Sequence, residues 1–284
     1  MEERRKNLIT NVKNDYIFGL DEIKNKVLKY CKVLISNDEK FKIVKRKLTI
    51  SPTFLFYGYP GTGKTTLANE IYETLKQDEQ FGNIDKYVLK IDELLSSNFG
   101  ESSKNLIARF EKIKLEIEDN NSIAFIIIDE LDFFTNNRFQ NNNDSVVRVL
   151  LTFNQIIDNL IREDTIDKMI IIATTNIREN IDTSILRRFF FHQNFDIILN
   201  EQEFSAYLEE LCNITDMEQI ENINKLYNVY QQKNFTLGEL KSIFSNLYME
   251  RKIDLETDKD FVDIFQNNIS YSETICTQQG ENKK

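Results

Sequence analysis

The chain has 284 residues, with 36 Lys and Arg against 46 Asp and Glu, a formal charge of −10 and a pI near 4.9. Apolar residues make up 41% and aromatic residues 11%, enough for a packed core in one large or two modest domains, which excludes a wholly disordered chain. The acidic balance argues against nucleic acid or an anionic membrane as the main partner, and no apolar run approaches the roughly 20 residues of a spanning helix.

The N-terminus runs straight into polar sequence, so no signal region is expected. Cys31, Cys212 and Cys276 are widely spaced, with no CxxC. That spacing predicts reduced thiols in a cytoplasmic protein rather than a zinc site or a disulfide set. His192 is the only histidine and has no GxSxG context, which leaves a histidine-centred triad without support.

In chain order, Thr53–Tyr57 reads as a buried strand, followed by glycines and a helix from about Lys64. Lys86–Ile91 reads as a second strand, after which Leu106, Phe110, Ile113 and Ile117 recur at helical spacing. Ile123–Ile128 and Met169–Ala173 are apolar throughout, as strands covered on both faces must be. Between them, Val146, Val149, Leu150, Phe153, Ile157 and Leu160 mark a long helix, and the Asn-rich stretch from Asn136 to Asn143 reads as a solvated loop. Asn194–Leu199 reads as a fifth strand. Strands alternating with helices predict an α/β fold, a parallel sheet with helices on both faces.

After residue 200 the strand signal stops. Phe204/Leu208/Leu211, Ile220/Ile223/Tyr227, Leu240/Ile243/Phe244/Leu247 and Phe261/Ile264/Phe265 give four helical stripes. The expected organisation is a short extension over 1–14, an α/β nucleotide-binding domain over 15–200, a small all-helical domain over 201–269 and a flexible tail over 270–284.

Gly58-Tyr-Pro-Gly-Thr-Gly63-Lys64-Thr65 matches GxxxxGK[ST], and it places three of the chain's eight glycines in six positions. It follows a strand and opens a helix, as a phosphate-cradling loop must. The loop Pro60, Gly61, Thr62 and Gly63, with Lys64, Thr65 and Thr66 at the helix start, lines the expected nucleotide phosphates. Backbone N–H groups and the helix dipole supply positive potential, Lys64 reaches the terminal phosphates, and the Thr65 hydroxyl can ligate Mg²⁺. Ile126-Ile-Ile-Asp129-Glu130 ends a buried strand at the crevice where such sheets hold ligands. Asp129 is the expected second Mg²⁺ residue. Glu130 can polarise water for attack on the γ-phosphate, which favours ATP hydrolysis over transfer to a metabolite.

With these motifs placed, Asp15 to Glu250 resembles an AAA+ ATPase of the P-loop NTPase class, with a large α/β domain and a helical lid. The resemblance implies ATP and Mg²⁺ as cofactors and nucleotide bound between the two domains. Phe18 and Gly19 lie in the segment that resembles the adenine-lining stretch. Met169-Ile-Ile-Ile-Ala-Thr-Thr-Asn176 resembles the sensor-1 strand, with Asn176 orienting water. Asp182-Thr-Ser-Ile-Leu-Arg187-Arg188-Phe189 resembles the second region of homology, whose arginines act in a neighbouring subunit's site, Arg188 ahead of Arg187; the alternative is an ion pair within the chain. The resemblance thus implies a homo-oligomeric ring, expected to be a hexamer.

Phe235-Thr-Leu-Gly238-Glu-Leu240 resembles the start of the helix that carries a sensor-2 arginine in some clades. Gly238 stands at that position, in keeping with the protein-remodelling branch, and either lets backbone approach the ribose or is an ordinary helix-entry glycine. Ser96 to Asn105 resembles the first pore loop, with Asn98 at the usual aromatic position and Phe99 next to it. Phe99 either grips substrate polypeptide or staples the following helix. The loop from Arg138 to Asp144 corresponds to the second pore loop.

The stretches Asn98–Lys104, Arg109–Asp119 and Ile177–Thr183 further resemble the pachytene-checkpoint ATPases, which remodel HORMA-domain proteins and whose bacterial relatives serve antiphage operons. That group has Trp where Asn98 stands, and its eukaryotic members carry an N-terminal adaptor-binding domain; with about 14 residues before Asp15, such a domain is not expected here. The expected function is remodelling of a protein partner, with a HORMA-domain protein as the specific expectation. The alternatives are a DNA-associated loader or initiator and a slow nucleotide-gated switch.

Overall fold

A computed structural model of the chain describes residues 18–35, 38–90, 101–132, 144–176, 181–215, 222–253, 261–272 and 274. It divides into two compact units. The first runs to Gly58 and resumes over Lys64–Asn194; the second comprises Tyr59–Gly63 and the chain from Phe195 onward.

In the first unit, helices α1 (Asp21–Leu34) and α2 (Glu39–Leu48) precede strand β1 (Thr53–Tyr57). Then come α3 (Lys64–Lys76), β2 (Ile84–Lys90), α4 (Glu101–Asp119), β3 (Ile123–Asp129), α5 (Asp144–Arg162), β4 (Met169–Thr175), the short α6 (Thr183–Leu186) and β5 (Phe191–Asn194). All pairings are parallel, in the order β2-β3-β4-β1-β5. The continuous apolar runs hold the centre: Ala124 to Ile128 and Met169 to Ala173 are buried without a break.

One sheet face packs against the stripe Leu106, Phe110, Ile113 and Ile117 of α4 and Val149, Phe153, Ile157 and Leu160 of α5. Leu67, Ala68, Ile71 and Leu75 of α3 are buried as well, and Tyr72 of α3 meets Phe125 of β3 at a ring distance of 5.5 Å. Each fully buried Leu, Ile or Phe among these contributes about 1.5–3 kcal/mol. Lys45 of α2 is buried, donating to Leu34 O at 2.9 Å and pairing with Asp167 at 2.7 Å. Cys31 of α1 is buried, and that burial pushes its thiol pKa up, making it an inert packing group.

The fifth strand differs from the sequence reading. It spans Phe191–Asn194, pairing Phe54 with Phe191 through Tyr57 with Asn194, while Phe195–Asn200 is not strand. The edge position explains the shift. Phe191 stacks on Tyr30 at 4.4 Å and Phe54 at 5.0 Å, leaving His-Gln-Asn, which carries no apolar signature. The apolar run that follows instead supplies packing anchors to the second unit, where Phe195 and Leu199 are each 1% exposed.

The second unit contains α7 (Glu201–Thr215), α8 (Ile223–Lys233), α9 (Leu237–Ile253) and α10 (Phe261–Asn267). Phe204, Leu208, Leu226, Tyr230, Phe244 and Phe265 are buried in it, and the Tyr230 hydroxyl accepts from Leu199 N at 2.9 Å. α8 buries Leu226, Val229 and Tyr230, with Tyr227 half-buried, so its stripe is turned from the one read in sequence.

Two capping boxes start α7 and α9. Asn200 and Glu203 exchange backbone-to-side-chain bonds of 2.9 Å and 2.9 Å, and Thr236 and Glu239 do so at 3.2 Å and 2.7 Å. Each such cap stabilises a helix start by about 1 kcal/mol. Ser270–Ser272, read in sequence as the start of a frayed tail, are tied down: Tyr271 N donates to Glu239 Oε1 at 2.6 Å and Ser272 Oγ to Lys233 O at 2.8 Å.

Candidate functional site

In the first unit the site is built at the carboxyl ends of β1, β3 and β4. Gly58 follows β1, and Lys64 and Thr65 open α3. Lys64 is 6% exposed, and its ammonium donates to Gly58 O at 2.7 Å. A buried cation held by a loop carbonyl can exchange that acceptor for an anionic oxygen at little cost in geometry.

β3 ends at Asp129 beside β4, with Ile128 in register with Ala173. Asp129 Oδ1 accepts from Thr65 Oγ1 at 2.9 Å and, by a short bond, from Thr174 Oγ1. The Thr174 hydroxyl also accepts from Glu130 N at 3.2 Å, and Thr174 O accepts from Leu131 N at 2.8 Å. Glu130 is exposed and adopts a left-handed backbone, φ +56°. Such a conformation in a non-glycine residue costs about 1–3 kcal/mol and is held here by the two bonds to Thr174. It turns the Glu130 carboxyl out of the strand's alternation, so adjacent carboxylates are presented differently. Asn176 follows β4, its N–H donating to Oδ1 of the largely buried Asp132 at 3.3 Å.

Residues Tyr59–Gly63 pack in the second unit. Gly61 and Gly63 have φ +75° and +88°, values a side chain would strain. Tyr59 N donates to Asp196 Oδ1 at 2.6 Å, and Thr62 Oγ1 to Tyr59 O at 2.9 Å. A cavity of about 280 Å³ is lined by Tyr59, Thr62, Phe195, Ile198, Phe235 and Leu237, among others. Gly238, in the first turn of α9, lies against Gly61.

The remaining candidates fall as follows. Phe18 and Gly19 form the turn before α1, Gly19 with φ +75°. Thr66 lies in the first turn of α3 and Pro60 lines a second cavity of about 350 Å³ with Gly61 and Gly238. Arg188 is engaged within its own chain: Nε and Nη2 bond both oxygens of Asp158 at 3.1 and 2.7 Å, and Nη1 donates to Ser184 O at 2.6 Å. Arg187 is exposed, with a long 3.4 Å contact from Nε to Thr183 O. Asn98, Phe99 and the stretch 138–143 lie outside the described residues.

The residues present fit a nucleotide with its cation. Lys64 supplies charge, and Thr65 and Asp129 supply two hard oxygens side by side. Among the described residues no cluster of three or more His, Cys, Asp or Glu could hold a metal alone. The two oxygens of Thr65 and Asp129 suit Mg²⁺, which keeps waters and takes one or two protein ligands together with phosphate oxygens. Sequence reasoning missed Thr174, Asp132, Asp158 and Asp196. Only Thr174 carried a signal, as one of two hydroxyl residues that follow the apolar run of its strand, just before Asn176.

Residues 54–197 match the ATPase family associated with various cellular activities (AAA). The chain belongs to that family. It is 26% identical over 229 residues to the human pachytene checkpoint protein 2 homolog, covering 78% of this chain and 50% of that protein. It is also 26% identical over 197 residues to the vesicular-fusion protein SEC18 of Candida albicans, covering 66% of this chain and 24% of that one. The chain thus spans about half the length of the pachytene-checkpoint relatives it matches. Among solved structures it resembles a chain of the HORMA:CdnC:Trip13 complex of E. coli MS115-1, with TM-score 0.69, 17% identity, and 88% and 87% of the two chains covered. It also resembles a Rhizobiales Trip13, with TM-score 0.59, 17% identity, and 90% and 92% covered. These likenesses establish the AAA fold, a five-stranded parallel sheet with surrounding helices and a helical second part. No helix among the described residues is long and apolar enough to cross a membrane.

Proposed function

We propose that this AAA protein binds ATP with Mg²⁺, hydrolyses it in a ring of its own copies, six by the family resemblance, and uses the turnover to remodel a HORMA-domain protein. The arrangement that carries the hydrolytic part is Asp129 clasped by the Thr65 and Thr174 hydroxyls, with Glu130 turned out beside it. Bound Mg²⁺–ATP would supply the electrophilic phosphoryl group and the charge that steers it. Thr65 and Asp129 would hold the cation, Lys64 would offer its charge to a phosphate oxygen in place of Gly58 O, Glu130 would take the proton of the attacking water, and Asn176 would orient that water. The partner class is supported by relatives whose names refer to the pachytene checkpoint and by a neighbour solved with a HORMA protein.

One observation gives weight to the slow nucleotide-gated switch for the isolated subunit. Arg188, the expected trans-acting cation, is tied to Asp158 of its own chain. An unassembled subunit would then turn over slowly, and a ring would be needed to recruit Arg188 or the exposed Arg187.

The test is Glu130→Gln. This variant should bind ATP as the wild type does and hydrolyse ~10²–10⁴-fold more slowly, the usual worth of a general base. Loaded with ATP and presented with native lysate, it should retain a HORMA-domain protein in stoichiometric amount. Retention of an unrelated protein would replace the partner class, and undiminished turnover would remove Glu130 from the chemistry.

A further inference from the structure

Two glycines far apart in sequence touch backbone to backbone in the second unit. A Cβ built on Gly238 would stand 2.4 Å from the carbonyl oxygen of Gly61 and 2.8 Å from both its carbonyl carbon and its Cα. A Cβ on Gly61 would stand 3.3 Å from Gly238 Cα. Real Cβ atoms essentially never come within 3 Å of a backbone atom, and no rotamer relieves such an overlap, because the atoms struck belong to main chain.

Both partners are pinned. On the loop side, Tyr59 N is bonded to Asp196 and Thr62 Oγ1 to Tyr59 O, two residues to one side of Gly61 and one to the other. On the helix side, the Thr236–Glu239 box fixes the start of α9. The second oxygen of Glu239 accepts from Tyr271 N, and the Tyr207 hydroxyl lies 3.4 Å from Leu237 O. The backbone of Gly238 is not left-handed, so helix geometry alone would accept alanine there and helix propensity would favour it. What excludes a side chain is Gly61.

We propose that Gly238 is a positioning residue for the phosphate loop: its bare backbone seats Gly61 and thereby sets the path of Pro60–Gly63. The inference rests on the nucleotide-site reading and deepens it. It assigns position 238 to the polyphosphate end of the ligand, through the loop, rather than to direct contact with the ribose. It also gives a steric reason why this helix start carries no arginine, since any side chain at position 238 displaces the loop.

The test separates phosphate from nucleoside by using two probes, Mg²⁺–ATP and inorganic tripolyphosphate with Mg²⁺, which has no ribose or base. Gly238→Ala should lose at least ~10-fold in affinity for both probes by calorimetric titration, while its thermal unfolding midpoint stays near that of the wild type. Loss for ATP with wild-type affinity for tripolyphosphate would move the residue to the ribose and overturn the proposal, as would unchanged affinity for both. Wild-type protein that binds neither probe would defeat the nucleotide-site reading and this inference with it.

Should Gly238→Ala not fold, hydrogen exchange on the wild type decides. Tripolyphosphate should slow exchange at the Gly238–Leu240 amides together with those of Gly61–Gly63, and protection confined to the loop would overturn the coupling.

Discussion

The carboxylate end of β3 and the arginine turn after α6 belong to the same unit, yet they are built on opposite plans. Asp129 and Glu130 sit where sheet register puts them, and the groups that orient them, Thr65 and Thr174, come from the same chain. Nothing further is needed to aim them. Arg188 is also oriented from within, but by a counter-charge: Asp158 accepts from Nε and Nη2 of its guanidinium and Ser184 O from Nη1. An acid held by hydroxyls stays available to a cation. A cation held by an acid is spoken for until something competes. On the proposed function, the first arrangement would be a finished half-site and the second a stored one.

The contrast is most exposed at Arg188. If this arginine leaves Asp158 to act in a neighbour, Arg188→Ala should reduce turnover of the assembled protein by ~10³–10⁵, the range for arginine fingers, with ATP affinity unchanged. Asp158→Asn should then raise turnover of the assembled protein, because it frees the arginine for the neighbouring site. If both variants instead cost the same small amount of thermal stability and leave turnover alone, the pair is a structural bridge and the contrast dissolves. With side chains 21% and 43% exposed, such a bridge contributes at most about 1 kcal/mol.

A smaller effect is expected on the carboxylate side. Thr174→Val keeps the shape of a residue only 2% exposed but removes the hydroxyl that serves Asp129 and Glu130. Hydrogen bonds to charged groups are worth about 1.5–3 kcal/mol, so turnover should fall roughly 10–100-fold. ATPase rates with a parallel urea melt would show whether the loss lies in the chemistry or in the fold.

The smallest effect is expected in the second unit. Burial raises the pKa of Glu210 on α7. A carboxyl whose pKa rises on folding is favoured in its protonated form, so its contribution is present at low pH and is lost as pH climbs through the unfolded and then the folded value. Glu210→Gln should therefore be slightly more stable than wild type at neutral pH and no more stable in acid, read by denaturation at the two pH values.

What sequence could reveal follows the same division between local and assembled features. Ile123–Ile128 and Met169–Ala173 announced themselves because strands buried on both faces need unbroken apolar runs. The phosphate loop was legible because its spacing is its mechanism. β5 starts three residues and ends five residues before the stretch read as strand, because an edge strand has no such run and the apolar stretch after it belongs to another core. Thr174 became a site residue only once β4 was known to lie beside β3. The bond from Asp158 to Arg188 spans 30 positions, and the seat of Gly61 on Gly238 spans far more, so neither leaves a local pattern.

The left-handed turn at Glu130 sets two demands on one residue against each other. Its backbone geometry is one that glycine occupies freely, whereas the chemistry proposed for the position requires a carboxylate. Selection for robustness alone would drift towards glycine there, and selection for turnover would pull the other way. In a lineage of such proteins, the residue found at this position would register whether the chain is still kept as an engine or only as a scaffold.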